Sequence, residues 1–232
     1  AGADVLELDV HLSRDGILFV CHDPDLLRVS GDEGLIRELT TSEIRQVDAG
    51  ALWQAEDGTR PYAGKGLGLL SLEELFQALP EAAMNVDIKV TDPHAADQTV
   101  ELIRRHQREK RTVVASFLPK QLRRVRRNAP DLVTSASPPD VRRFYFLSRL
   151  GLGRIASSKV PYLQVPETHG SLRLVTPEFV RSAHAADREV HVWTVNDVED
   201  MRRLLAIGVD GIVTDYPSRL SSVLDATEKG TS

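Results

Sequence analysis

The sequence predicts an α/β fold in which a parallel sheet closes into a (β/α)₈ barrel. Short β-branched apolar runs alternate with amphipathic helical patterns along most of the chain, which is typical of βαβ units. The length of 232 residues suits one α/β barrel as a single domain. Acidic residues lie on two of the strand candidates, and parallel barrels place their active sites at the carboxyl ends of their strands.

Seven segments have the composition and the flanking turn residues of β-strands. They are Val5–Val10, Met84–Val90, Thr112–Ser116, Leu132–Ser135, Tyr162–Val165, Val190–Val195 and Gly211–Thr214. A closed barrel needs eight strands. The count therefore predicts that one βα unit is absent from the front of this chain.

The helices between these strands begin at recognisable capping residues. Ser71 stands three residues before Glu74, which is the spacing of a capping box. Thr176 precedes Pro177, and proline is favoured at the first helical position. Asn196 can cap the helix that follows the strand candidate ending at Val195.

The stretch His22–Gly68 interrupts the alternation of strands and helices. It is rich in turn residues and contains one short helical pattern near Thr41–Gln46. Long loops inside compact domains are usually functional or form subdomains. We therefore expect a single barrel domain over residues 1–226, with a small subdomain at about 23–70 inserted after the second strand, and a frayed polar tail, Thr227–Ser232.

Charge and composition exclude several classes of protein. The net charge is −5 and the pI about 5.8, which argues against nucleic acid as the main partner. Basic residues cluster in Lys120–Arg127 and Arg142–Arg143, where a solvated helix face is favoured over a lipid or nucleic-acid patch. Cys21 is the only cysteine, so an intrachain disulfide is impossible. No apolar run is long enough to span a bilayer, and we expect a cytoplasmic protein; no pattern specifies an oligomer.

Glu7 and Asp9 are the sharpest chemical signal. Residues two apart on a strand share a face, so both carboxylates lie together, with His11 on the same side. Adjacent carboxylates repel each other unless a cation or a proton is shared. A metal site is favoured over an exposed edge with solvated acids, because the flanking residues are apolar.

Asp87 and Lys89 repeat this geometry on a later strand. A third carboxylate creates an oxygen-rich site suited to Mg²⁺ or Ca²⁺. The lysine would act as a point charge for an anionic substrate. The alternative is that Asp87 and Lys89 form a plain structural ion pair.

Two further residues are candidates for the site. His22 stands where a strand gives way to the long loop, a suitable place for a general acid or base. Trp193 ends a strand and either lines a substrate pocket or fills the core. Cys21 next to His22 points to the opposite face of the strand, which disfavours a cysteine nucleophile.

Motifs along nearly the whole chain resemble the glycerophosphodiester phosphodiesterases. They are Gly2–His11, Asp15-Gly16, His22-Asp23-Pro24, Arg28, Asn85–Lys89, Ser116-Phe117, Val192–Asn196 and Gly208–Pro217. The resemblance implies a TIM barrel with an insertion after the second strand and a divalent metal bound by Glu7 and Asp9. The family usually has Glu at its third ligand position, where this chain has Asp87. The resemblance also implies that His22 is one of two catalytic histidines and that Lys89 contacts the phosphate.

The family's other histidine lies in a His-Arg-Gly motif followed by a Glu-Asn-Thr segment, and neither occurs here. Truncation of the first βα unit is the favoured explanation, and a true loss would leave a non-catalytic relative that keeps the metal pocket. The expected activity is metal-dependent hydrolysis of a small glycerophosphodiester to glycerol 3-phosphate and an alcohol. A lysophospholipase D is the alternative enzyme, with Phe144–Leu147 as the wall of an apolar groove.

Overall fold

The computed structural model describes residues 2–155 and 160–230, with side chains described up to residue 226. The chain divides into two compact units. The amino-terminal unit is Glu7–Leu132, and the carboxy-terminal unit combines Ala1–Leu6 with Val133–Ser232. Both are mixed α/β structures, as the alternation of sequence patterns predicts.

The amino-terminal unit is built on a four-stranded sheet with the order β2-β1-β3-β4. Its strands are β1 (Val5–Leu12, of which Glu7–Leu12 lies in this unit), β2 (Leu18–Val20), β3 (Ala83–Ile88) and β4 (Thr112–Ala115). Its helices are α1 (Leu27–Ser30), α2 (Thr41–Ile44), α3 (Leu72–Ala78), α4 (Pro93–Arg105) and α5 (Pro119–Asn128), with a 3₁₀ turn at Ile36–Glu38. Successive residues Leu8 and Asp9 on β1, like Val86 and Asp87 on β3, are all buried, so the sheet is covered on both faces.

This sheet is mixed, which corrects the expectation of a wholly parallel one. β3 and β4 are parallel, whereas β1 and β2 are antiparallel and pair Val10 with Val20. The turn between β1 and β2 is closed by the N–H of Ser13 donating to the carbonyl of Ile17 at 2.9 Å. A turn this short can join only antiparallel strands. As a consequence, β1 continues past Asp9 as one arm of a hairpin.

Strand β2 and the segment after it share a small apolar cluster. Its buried members are Phe19, Cys21, Leu26, Ile36 and Ile44. The helices within this segment are short, and α2 starts at a capping box formed by Thr40 and Glu43. The long stretch without a regular βα unit is therefore packed around a local core.

The carboxy-terminal unit contains a parallel three-stranded sheet with the order β5-β8-β9. Its strands are β5 (Tyr162–Pro166), β8 (Glu189–Trp193) and β9 (Gly211–Ile212), and β6 (Thr168–His169) forms a hairpin with β7 (Leu172–Arg173). Its helices are α6 (Pro138–Arg149), α7 (Pro177–His184), α8 (Val198–Ala206) and α9 (Pro217–Gly230), with a 3₁₀ turn at Gly153–Ile155. Phe144, Leu163, Val190 and Met201 lie in its buried core.

Three local expectations need correction or comment here. The strand expected at Leu132–Ser135 is reduced to bridge residues at Thr134 and Ser135, and Ser135 pairs in parallel with Tyr162. Asp197, not Asn196, caps α8. The polar tail enters α9 as far as Gly230, and the last two residues lie outside the described part of the chain.

Candidate active site

Three carboxylates of the amino-terminal unit converge. Glu7 and Asp9 project from β1 and Asp87 from β3, and one oxygen of each lies within 4.8 Å of the others. Asp9 and Asp87 are buried, while Glu7 keeps an exposed surface. The two strands are neighbours in the sheet, which explains why residues 78 positions apart meet (87 − 9 = 78).

Lys89 lies against this cluster. Its Nζ is 2.9 Å from Asp9 Oδ1 and 2.7 Å from Asp87 Oδ2. Its backbone N–H donates to the carbonyl of Val10 at 3.2 Å and so holds the residue beside β1. Burial opposes the charged ammonium, but the hydrogen bonds to Asp87 and Asp9 outweigh it and raise the pKa of Lys89.

The carboxylates destabilise one another's charged forms. Loss of solvent around the carboxyl group, followed by the charges of Asp9 and Asp87, raises the pKa of Glu7 to about 7. Burial also raises the pKa of Asp87, despite its contact with Lys89. One lysine therefore does not balance the three acids.

The donor set fits a hard divalent cation. Asp87 Oδ1 is buried and has no hydrogen-bond partner among the described residues. A buried carboxylate oxygen without a partner is costly, and a cation would satisfy it. Three carboxylates within one small radius are the ligands that Mg²⁺ and Ca²⁺ prefer.

His22 is exposed and is held by its neighbours. Its Nδ1 lies 2.6 Å from Asp23 Oδ1, and Arg28 Nε donates to Asp23 Oδ2 at 2.5 Å. The hydrogen bonds from Arg28 and then from His22 lower the pKa of Asp23. Because Asp23 accepts the Nδ1 proton, Nε2 of His22 is the nitrogen available to a substrate. The charge of His22 also acts on Glu7.

Cys21 is a core residue. It is buried, and burial raises the pKa of its thiol. A nucleophilic cysteine needs a lowered thiol pKa, so the surroundings of Cys21 do not favour a nucleophilic role.

Asp23 and Phe117 were not assigned a role from the residue pattern alone. Phe117 is exposed and its ring centre lies 5.2 Å from Lys89 Nζ, so it flanks the cluster. The signal that could have found it is its position just after β4, the strand next to β3. Trp193 belongs to the carboxy-terminal unit, where it ends β8 and is half-buried. Its contact with substrate stays a prediction.

Two other expectations concern surfaces. Phe144 is fully buried in the core of the carboxy-terminal unit, so it does not form the wall of a groove. Across residues 2–155 and 160–230, no helix has the length and apolar character needed to cross a membrane.

The fold and the site define a class: an α/β protein with an acidic cluster, a lysine and an exposed histidine on adjoining strands and loops. The chain belongs to the glycerophosphoryl diester phosphodiesterase family, whose model matches residues 1–219. This confirms the resemblance seen in the motifs. Membership implies a TIM-barrel fold and the activity for which the family is named, the hydrolysis of phosphoric diesters.

Individual relatives agree with this assignment. A Mycobacterium tuberculosis protein named "Probable glycerophosphodiester phosphodiesterase 2" is 32% identical, over 97% of this chain and 81% of the relative. Lysophospholipase D GDPD1 of Homo sapiens is 26% identical, over 96% of this chain and 77% of the relative. The crystal structure of a glycerophosphodiester phosphodiesterase from Thermotoga maritima is 26% identical with a TM-score of 0.66, and the match covers 92% of this chain and 82% of that one.

Proposed function

We propose that this chain hydrolyses glycerophosphodiesters to glycerol 3-phosphate and an alcohol, using one divalent cation held by Glu7, Asp9 and Asp87. The observation that carries the proposal is the convergence of these three carboxylates, with a buried, unpartnered oxygen on Asp87. Family membership supplies the substrate class. The cation, Mg²⁺ or Ca²⁺, supplies Lewis acidity to a phosphoryl oxygen when it is bound.

The residues around the cluster divide the remaining work. Lys89 provides a positive charge for the phosphate and for the negative charge that develops during cleavage. His22 exchanges a proton through Nε2, while Asp23 fixes the ring by accepting from Nδ1. Phe117, whose ring lies beside Lys89, contacts the organic part of the substrate. The family resemblance implies that two histidines act as general acid and general base, and His22 is one of them.

The finer architecture belongs to the same proposal. We assign the chain to one barrel domain over residues 1–226, with residues of about 23–70 as an insertion after the second strand. The local apolar cluster around Leu26, Ile36 and Ile44 supports a separate small subdomain. Its position next to His22 would let it border the substrate.

The test is release of glycerol 3-phosphate from glycerophosphocholine with Mg²⁺, with Ca²⁺ and with chelator. We expect cation-dependent turnover that His22→Ala reduces by about 10²-fold or more. His169→Ala is the matched control, because His169 is an exposed histidine of the β6–β7 hairpin. Activity in chelator equal to that with either cation would contradict the metal assignment.

A second measurement separates binding from turnover. Each cation should raise the melting temperature of the wild type, and Asp87→Ala should abolish that rise. A cation-induced rise without turnover would support the metal site and identify a non-catalytic relative. Absence of both would overturn the proposal.

A lysophospholipase D remains the second candidate, because the human relative carries that name at 26% identity. The two activities differ in the substrate's acyl chain. Comparing glycerophosphocholine with lysophosphatidylcholine at equal concentration distinguishes them. Faster release of choline from the lipid would favour the second candidate.

A further inference from the structure

The carboxyl end of α6 exposes an apolar surface framed by arginines. Phe146 is 60% exposed, Leu150 72% and Ile155 63%, and Leu152 is also exposed. We define these four residues as the α6 tip. Scattered exposed apolar residues are ordinary, but four within ten positions form a patch that needs an explanation.

The backbone of the α6 tip is held in place. Gly151 has a φ of +73°. The N–H of Leu152 donates to the carbonyl of Leu147 at 2.8 Å, and the N–H of Gly151 donates to the carbonyl of Ser148 at 3.0 Å. This is the hydrogen-bond pattern of a Schellman motif, which ends a helix firmly. The apolar side chains of the tip are therefore presented by a defined turn.

The tip is also tied to the core of its unit. Arg154 Nε donates to the carbonyl of Ala185 at 2.5 Å. A Cβ added at Gly153 would lie 3.3 Å from the ring of Phe144, so this turn packs closely on the buried base of α6. The turn that follows α6 is therefore fixed to the unit's core, while Phe146 and Leu150 stay exposed.

The charged residues in the segment that carries the tip are all positive. Residues 141–155 include Arg142, Arg143, Arg149 and Arg154, all exposed, and no Asp or Glu. None of these arginines forms an ion pair with a carboxylate within the described part of the chain. The whole chain has a net charge of −5, so this local surplus is not a property of the protein at large.

Apolar side chains surrounded by arginines match an anionic lipid surface. The apolar groups enter the boundary between head groups and acyl chains, while the guanidinium groups pair with lipid phosphates. We propose that the α6 tip docks this protein reversibly on membranes that contain anionic phospholipids. The sequence analysis favoured a solvated helix face for Arg142–Arg143. In this proposal the two arginines contact lipid phosphates instead.

Helix α5 offers an internal comparison. It is as basic as the segment 141–155 that carries the tip, but its apolar residues Leu122 and Val125 are fully buried. It therefore has charge without exposed apolar surface, and the solvated-face interpretation remains suitable for it. Arginine pairs on α5 and α6 can thus be removed in parallel to separate the two contributions.

The experiment is co-sedimentation of the full chain with phosphatidylcholine vesicles with and without phosphatidylglycerol. We expect binding only to the anionic vesicles, weakened by added salt. Arg142→Gln with Arg143→Gln should lower the partition coefficient roughly thirty-fold. Leu150→Glu with Ile155→Glu should lower it by about tenfold or more.

Matched variants complete the test. Arg123→Gln with Arg127→Gln on α5, and Leu172→Glu in the β6–β7 hairpin, should bind like the wild type. The proposal is overturned if the wild type binds neither vesicle, binds both equally, or is affected as strongly by the control variants. It is also overturned if light scattering shows a dimer that Leu150→Glu dissociates, because the tip would then serve a second copy of the chain. Turnover is not measured, so this outcome is independent of the proposed hydrolysis.

Discussion

Lys89 bridges two buried aspartates, so it would compete with a divalent cation for the same oxygens. Lys89→Gln removes the charge that balances Asp9 and Asp87. We expect the variant in chelator to lose up to about 3 kcal/mol of unfolding free energy, since uncompensated buried charges are costly. The raised pKa of Asp87 limits the loss, because that carboxyl can take up a proton.

The same variant should respond more strongly to the cation. With the ammonium gone, Mg²⁺ or Ca²⁺ should raise its melting temperature by more than that of the wild type. Lys110→Gln, at an exposed lysine, should show the wild-type rise. Equal rises in all three proteins would show that Lys89 and the cation do not share ligands.

Asp23 positions His22 and is not itself expected to touch the substrate. Asp23→Asn keeps the shape but replaces the acceptor that Nδ1 and Arg28 share. We expect kcat to fall by about 10- to 100-fold with little change in KM, and the pH–rate profile to shift. Asp57→Asn, at another exposed carboxylate of this unit, is the control. An unchanged pH profile with an altered KM would assign Asp23 to substrate binding instead.

At the scale of a single helix, the stability that the capping box of α3 contributes depends on pH. Hydrogen bonds from the backbone N–H and hydroxyl of Ser71, and from Arg45, outweigh partial burial and lower the pKa of Glu74 from its ordinary 4.5. A lowered folded-state pKa gives stability that is present above pH 4.5 and lost as pH falls through the folded value. We expect Glu74→Ala to cost about 1 kcal/mol at pH 7.

The cost should shrink toward zero as the pH is lowered well below the range in which Glu74 is charged. Urea unfolding of wild type and variant at neutral and acidic pH measures this difference. Glu33→Ala, at an exposed residue, should have little effect at either pH. A cost independent of pH would show that packing of the side chain, rather than its charge, stabilises α3.

The accuracy of the sequence predictions follows how local each signal is. The capping box at Ser71 and the cap at Thr176 were predicted because the interacting atoms lie within three residues. The cap of α8 was placed one residue early, because Asn196 bonds instead to Asp215, a partner 19 positions away. The side chain of Asp197 takes over, accepting from two helical N–H groups. A hydrogen bond between residues so far apart in sequence cannot be predicted from the residues near the cap.

The candidate site shows the same limit. Period-two spacing placed Glu7 with Asp9, and Asp87 with Lys89, but could not establish that the two pairs meet. That juxtaposition depends on β1 and β3 being neighbours in the sheet. Phe117 was missed as a site residue because its contact with Lys89 comes from the segment after β4, a third strand.

On the scale of the whole molecule, cation binding should protect one unit in particular. All three proposed ligands belong to the amino-terminal unit. A ligand at a hundred times its Kd stabilises the state that binds it by about 2.7 kcal/mol. Hydrogen exchange with and without the cation should therefore slow mainly at amides of β1, β3 and β4. Protection confined to β5 and β8 would place the cation elsewhere.

Lys89 also gives the protein a built-in counter-ion. Because the ammonium offsets part of the negative charge on Asp9 and Asp87, the proposed site without its metal would suffer less repulsion between β1 and β3 than three unpaired carboxylates would cause. When the ion is scarce, the protein would stay folded but inactive, and it would resist proteolysis. Under the proposed metal-dependent hydrolysis, returning the ion would reactivate protein that is already folded.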